Sequence, residues 1–288
     1  MIIRSENTNY DENLVVDFHL KNFVNRILVR LNSMLEYLVN NYPDLFLPYI
    51  RALGNQLSKV IKQEEEISSA LSSLLRNYRL KEKDGKMLLI DFFRLLRNKM
   101  IEVTKISLNL HKYYEGKSVR RMRITLFDKM RGTIIPQYLT AVALGDIMLR
   151  DEALDLYKNY IDTEYEISEA RPPPLTMLEE MLTLYERENE NTHNFIPFMI
   201  QDGKMGLKIT RCMRKEALSS FNKEYDKGFA HIVECYPDFH RTTRMNDKFE
   251  LTRNKSLMMG NSYCDFCWHD KRFIEKIEHP DKSFWEEI

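Results

Sequence analysis

Glycine is scarce in this chain of 288 residues. It occurs 9 times, about half its usual share of roughly 7%. So few glycines leave little room for phosphate-cradling loops or for a turn-rich all-β fold, and they point to a mostly helical chain. Net charge is missing too. Lys plus Arg number 43 and Asp plus Glu number 43, so the basic excess that supplies affinity for nucleic acid is absent. No run of 18 apolar residues occurs, which excludes an expected transmembrane helix and a membrane partner. The first residues carry acids and amides in place of the apolar stretch and small-residue cleavage site of a signal peptide. The P-loop lysine motif, the dinucleotide-binding GxGxxG, HExxH and the G-x-S-x-G elbow are all absent. Cysteine does not appear in the first 211 residues, and then Cys212, Cys235, Cys264 and Cys267 follow within 56.

What is present is a foldable composition, with 43% hydrophobic and 11% aromatic residues, enough for one large domain or two modest ones. A cytoplasmic protein with reduced cysteines is expected. Apolar residues from Leu14 to Leu38 fall at alternating spacings of three and four, which predicts one helix from Asp11, as N-cap, to about Asn41. A second helix is expected from about Pro48 to Tyr78, with Glu64, Glu65 and Glu66 on its solvent side. A polar loop follows at 81–86, then a third helix from Met87 to Tyr113. Arg120, Arg121 and Arg123 read as a solvated basic face. Gly132 and Pro136 punctuate the next segments, and Gln137 to Tyr160 is helix-like. Arg171 to Pro174 is a rigid break, and a helix starts near Thr176.

The texture then changes. Asn194–Gln201 and Gly206–Cys212 flank Asp202-Gly203 as a hairpin, with Pro197 placing the first strand at an edge. Met213–Asn222 and Tyr225–Phe239 read as helices. Lys248–Asn254, Ser256–Met259 and Tyr263–His269 read as strands. The expected class is α+β: a mainly helical N-terminal half, then a small antiparallel sheet with inserted helices. The expected division is a helical region at 1–115 and an α+β domain at 116–288.

The chemistry concentrates where the cysteines are. Cys212 ends a predicted strand at the start of a predicted helix. There the helix dipole and the charges of Arg211, Arg214 and Lys215 favour a thiolate. His231, Cys235 and Asp238 share one face of a predicted helix, a thiol, an imidazole and a carboxylate that can serve as nucleophile, base and orienter. Cys264 and Cys267, with His269, resemble half a zinc site. On a strand, however, residues 264 and 267 point to opposite faces, which disfavours both a shared metal and a disulfide. Each of these residues also has a plainer reading, as a small buried side chain or a solvated polar one.

The segments Ile209–Cys212, Cys235–Asp238 and Phe249–Gly260, closed by Tyr263–Phe266, occur in an order and spacing that resembles the L-2-amino-thiazoline-4-carboxylic acid hydrolase family. That family carries a TRC block, a Cys-x-x-Asp block and a closing RTKTL…G…CDF block. The resemblance covers about residues 194–270 and extends weakly to about 120. Cys212, Cys235, Asp238, Arg253, Gly260 and Cys264 match the pattern. Asn254 and Ser256 stand where threonine is usual, which bears on substrate more than on fold.

The resemblance implies a small-molecule hydrolase that cleaves a C–N or C–S bond, with homologues in secondary metabolism. In this reading Cys212 or Cys235 attacks the electrophilic carbon of an amidine-, thiazoline- or amide-like substrate, and Cys264 belongs to the same set. Asp238 serves as base or orienter, and His231 or His240 carries protons. Arg253 grips a substrate carboxylate, with Arg211 as a second contact. No cofactor and no metal are assigned, and the helical half forms a pocket wall or a homodimer surface. Two other classes stand beside it: a metal-binding protein using the cysteines and His269, and a non-catalytic binder of small ligands or partners.

Overall fold

The computed structural model describes residues 2–3, 5–63, 89–91, 93–113, 122–167 and 174–288. The acidic run at 64–66, the loop at 81–86, Arg120, Arg121 and most of the Arg171–Pro174 break lie outside the described residues. The fold is α+β, with a helical N-terminal half and a small antiparallel sheet, as the residue patterns indicate.

The chain divides into two compact units. One is Asn13–Tyr160 with Ser220–Lys223, and the other joins Met1–Glu12, Ile161–Ser219 and Glu224–Ile288. The opening strand β1 (Ile2–Ile3) belongs to the second unit.

The helical unit begins with β2 (Val15–Phe18), followed by α1 (Leu20–Asn41), α2 (Pro43–Gln63), α3 (Arg94–Ser107), β3 (Met122–Thr125), α4 (Leu126–Gly145) and most of α5 (Arg150–Ile167). The expected start of α1 at Asp11 is displaced because Val15–Phe18 pairs antiparallel with Met122–Thr125. Extended β-branched residues here gain a partner strand instead of a helical turn. Pro43 opens α2 rather than merely closing α1, because a missing N–H costs nothing at a first helical position. The third expected helix is broken into a short turn at Leu89–Asp91, α3, and a second turn at Leu110–Lys112. Leu28, Leu35, Leu53, Leu57, Met100, Ile135 and Leu139 are among the side chains buried in its core. Helix α4 runs through Gly132 and Pro136, where breaks were expected. At Gly132 the leucine side chain of Leu108 comes so close that an added Cβ would lie 2.4 Å from it.

The division expected at residue 116 therefore falls elsewhere. Pairing of β3 with β2, and packing of α4 on α2 and α3, draws residues 122–160 into the helical unit.

The α+β unit contains α6 (Leu178–Asn189), β4 (His193–Gln201), β5 (Lys204–Cys212), α7 (Met213–Phe221), α8 (Lys227–Glu234), α9 (Pro237–Met245), β6 (Phe249–Thr252), β7 (Cys264–Asp270) and α10 (Lys282–Glu287). The sheet order is β1-β4-β5-β7-β6, and every pairing is antiparallel. The predicted hairpin forms around Asp202-Gly203. Pro197 does not lie on an outer strand, because β1 pairs with Phe198 and Met199 and Asn7 bridges Phe195. Its missing N–H falls in the gap between those two contacts. Ser256–Met259 is a helical turn rather than a strand, since Ser256 Oγ accepts the Met258 N–H at 3.2 Å and caps it.

Alternation along β7 sorts its side chains. Cys264, Phe266 and Trp268 join Leu178, Leu182, Phe195, Leu207 and Phe249 in the main core, under α6 and α9. Cys267 joins Phe198, Tyr263 and Trp285 on the other face.

Candidate functional site

The site lies entirely within the α+β unit and is built where strand ends meet short helices. β5 ends at Cys212 and α7 begins at once, so the first-turn backbone N–H groups of Arg214 and Lys215 pull the Cys212 thiol down. The expected thiolate does not follow. Burial pushes the Cys212 thiol up, and the helix N-terminus and Arg214 offset this only in part. Arg211 is turned away. Its guanidinium lies 3.7 Å over the Tyr10 ring and pairs with Glu216 at 2.8 Å, so it does not join the thiols.

The helix expected at Tyr225–Phe239 is two helices. Pro237 cannot continue the first and instead opens α9. Cys235 caps α8, its N–H donating to the His231 carbonyl at 2.8 Å. Asp238 sits in the first turn of α9. What joins these two residues is Arg253, which follows β6. Its Nη1 donates to Asp238 Oδ2 at 2.9 Å and its Nη2 to the Cys235 carbonyl at 2.7 Å. The guanidinium also lies 4.7 Å from the Phe266 ring centre and 5.1 Å from that of Phe239. Arg253 is thus buried and braces Cys235 against Asp238, rather than standing free for a substrate carboxylate.

Cys264 opens β7, and its Sγ accepts the Leu257 N–H at 3.2 Å. Cys235 Sγ lies 3.6 Å from Ser256 Oγ. The segment between Arg253 and Leu257 is pinned from behind by Asp265, whose carboxylate accepts the N–H groups of Asn254 at 2.9 Å and Lys255 at 2.6 Å. Cys235 and Cys264 therefore meet at the Ser256–Leu257 turn from two separate stretches of chain, and an ionised Cys212 sulfur would push both thiols up. Burial raises the Cys235 thiol to about 12 and pushes Cys264 up as well. Asp238 is raised by burial against the pull of Arg253 and Arg214.

Tyr185, on α6, packs its ring against His193, Phe195, Phe266 and Trp268, and burial, with the charge of Asp238, pushes its hydroxyl up. With Asp238, Arg241, Phe266 and Trp268 it lines a crevice of about 30 Å³, room for one or two water molecules. Arg214 donates to Glu234 Oε2 at 2.7 Å, and Glu234 is buried with its Oε1 unpartnered. His231 Nδ1 is also buried without a partner. Burial and the nearby Arg253 lower this imidazole to about 4.

His240 is placed elsewhere. It bonds Asp162 at 2.7 Å and stacks on Tyr165. Cys267 and His269 also stand apart from the three thiols, on the opposite sheet face. There Thr252 Oγ1 is 2.9 Å from both His269 Nε2 and His279 Nδ1, and His279 Nε2 is 3.2 Å from Asp265. Among the described residues no group of three or more His, Cys, Asp or Glu side chains is placed to hold a metal ion. No helix among them is long and apolar enough to cross a membrane.

Comparison with family models, curated proteins and solved structures finds no match. Tyr185 and Glu234 are the site residues that sequence reasoning missed. Glu234 stands three residues after His231 and beside Cys235, a helical spacing that marks it. Tyr185 carries no signal in an amphipathic helix.

Proposed function

We propose that the protein is a small-molecule hydrolase acting through a cysteine thiol on a C–N or C–S bond of a cyclic amidine- or amide-like substrate. The observation that carries this reading is the meeting of Cys235 and Cys264 at one turn beside the Arg253–Asp238 pair. Thiols drawn from distant stretches of chain toward a buried ion pair are a starting point for nucleophilic chemistry. The same positions carry the resemblance to L-2-amino-thiazoline-4-carboxylic acid hydrolases. Free thiols suit a reducing, cytoplasmic setting.

The test is turnover of L-2-amino-thiazoline-4-carboxylate and related cyclic amidines by the wild type and by the serine variants of Cys212, Cys235 and Cys264. The expected result is a loss of at least 100-fold in one variant. Full turnover in all three overturns the thiol mechanism.

A further inference from the structure

Helix α2 carries three donor side chains on one face. Arg51, Asn55 and Lys59 follow at intervals of four residues, so neighbours along the face stand about 5–6 Å apart at Cβ. The two ends lie about 12 Å apart along the axis. All three residues are exposed. Among the described residues none of them has a hydrogen-bond or ion-pair partner. An exposed helix face commonly sets such cations against acids one turn away, but no Asp or Glu stands between Arg51 and Lys59.

This face does not look onto flat surface. It lines a cavity of about 730 Å³ in the helical unit, completed by Asp146 and Ile147 just past α4. Small-molecule sites span about 300–1,000 Å³. Ala52 and Ile147 give the cavity an apolar part. Asp146 is the carboxylate of its lining, and Gln56 Nε2 donates to Asp146 Oδ2 at 2.7 Å. Ser58 brings in a further cation. Its Oγ donates to the Gly54 carbonyl at 2.8 Å and accepts Lys99 Nζ, from α3, at 2.5 Å. Arg51, Lys59 and Lys99 thus outnumber Asp146. Unpaired cations in a concavity focus positive potential, and their mutual repulsion is relieved by an anion placed between them.

We propose that this cavity binds a small phosphate monoester whose organic group is apolar. A phosphate carries close to two negative charges and three acceptor oxygens, which matches two free cations with an amide between them. Arg51 offers a planar fork and Lys59 a point charge. Their long stems let both heads reach a group lying over Asn55. The organic group rests on Ala52 and Ile147. A carboxylate has one charge and leaves one cation unmatched. Asp146 repels a second anionic group, so the ligand carries its charge at one end. Neither this site nor the hydrolase reading needs the other.

The test is calorimetric titration of the full chain with phenyl phosphate, inorganic phosphate and benzoate at low ionic strength. Phenyl phosphate is expected to bind one to one. Arg51→Gln and Lys59→Gln should each weaken it about 10-fold, the effect of losing one charged hydrogen bond, and the double variant should abolish it. Asp146→Asn should tighten it, because a like charge leaves the lining. Arg51, Lys59 and Asp146 are exposed, and unchanged circular dichroism confirms that their variants are folded. Inorganic phosphate and benzoate are each expected to bind at least about 10-fold more weakly than phenyl phosphate.

No saturable heat with phenyl phosphate overturns the proposal. Binding that persists unchanged in the double variant does so as well, since the phosphate then sits elsewhere on the chain. Benzoate as tight as phenyl phosphate removes the dianionic head. Inorganic phosphate as tight removes the apolar group. Either result leaves a bare anion patch in place of this site.

Discussion

Arg253 and Asp238 form the brace of the site: a guanidinium 2% exposed donates to a carboxylate 32% exposed at 2.9 Å, while its second nitrogen holds the Cys235 carbonyl at 2.7 Å. Removing one partner of a buried pair costs about 3–5 kcal/mol, and the exposure of Asp238 puts the expected cost near the low end. Arg253→Met is therefore expected to lose about 3 kcal/mol in denaturant unfolding, because the Cys235 carbonyl loses its donor as well. Arg253→Lys keeps the charge but not the fork, so it falls between. Equal stability of Arg253→Met and wild type would show that the brace holds nothing.

Acid sensitivity follows from three imidazoles. Burial lowers His193 to about 3, and His231 and His269 to about 4, from 6.5. Because their pKa values fall on folding, the unfolded chain binds the protons first. Stability is then full above about pH 6.5 and lost as pH falls toward 4. His193 and His269 are enclosed, and each contributes a slope of up to about 1.4 kcal/mol per pH unit in that window. Asp238, raised on folding, opposes them weakly. The denaturant midpoint is expected to drop between pH 7 and pH 5, and His269→Gln to flatten the dependence. A midpoint constant over that range contradicts the buried, neutral histidines.

The helical half and the hairpin were legible because their signals are local. The spacing of Leu28, Leu31 and Leu35, and the Asp202-Gly203 turn, each lie within one segment. The start of α1 was not legible. Val15–Phe18 is extended only because Met122–Thr125, over 100 residues away, pairs with it. The opposite faces of Cys264 and Cys267 could be read from strand alternation alone. The tie between Cys235 and Asp238 could not, because it passes through Arg253 and not through a shared helix face. The sign of the Cys212 shift was not legible for a similar reason. The helix N-terminus and the basic neighbours are visible in sequence, whereas the burial that outweighs them is a property of the fold.

Close packing beneath β5 gives a prediction independent of the chemistry. A Cβ at Gly206 would lie 2.3 Å from the Phe198 ring, and that ring is wedged against Trp285 and Phe284. Gly206→Ala is expected to cost about 1–3 kcal/mol through overpacking, read as a lowered thermal midpoint. Phe198→Leu in the same chain should recover part of the loss. If Gly206→Ala melts with wild type, the sheet face around Phe198 yields to an added methyl and is not close-packed.

The four thiols should separate by protection. Cys212 and Cys235 are partly exposed, while Cys264 and Cys267 are buried. Burial lifts Cys267 to about 12, and Cys267 lies beneath the cluster of Phe198, Tyr263 and Trp285. Its reaction with an alkylating agent thus requires the α10 face to open. In native protein Cys212 and Cys235 are expected to label at rates independent of low denaturant, whereas Cys267 labels with the denaturant dependence of unfolding. The alkaline side carries the same logic with its sign worked out. Thiols whose pKa rises on folding ionise first in the unfolded chain, so stability declines as pH climbs above about 9. Cys267→Ala removes part of that decline. Labelling of Cys267 as fast as Cys212 in the absence of denaturant would place it outside the core and break the two-faced arrangement of β7.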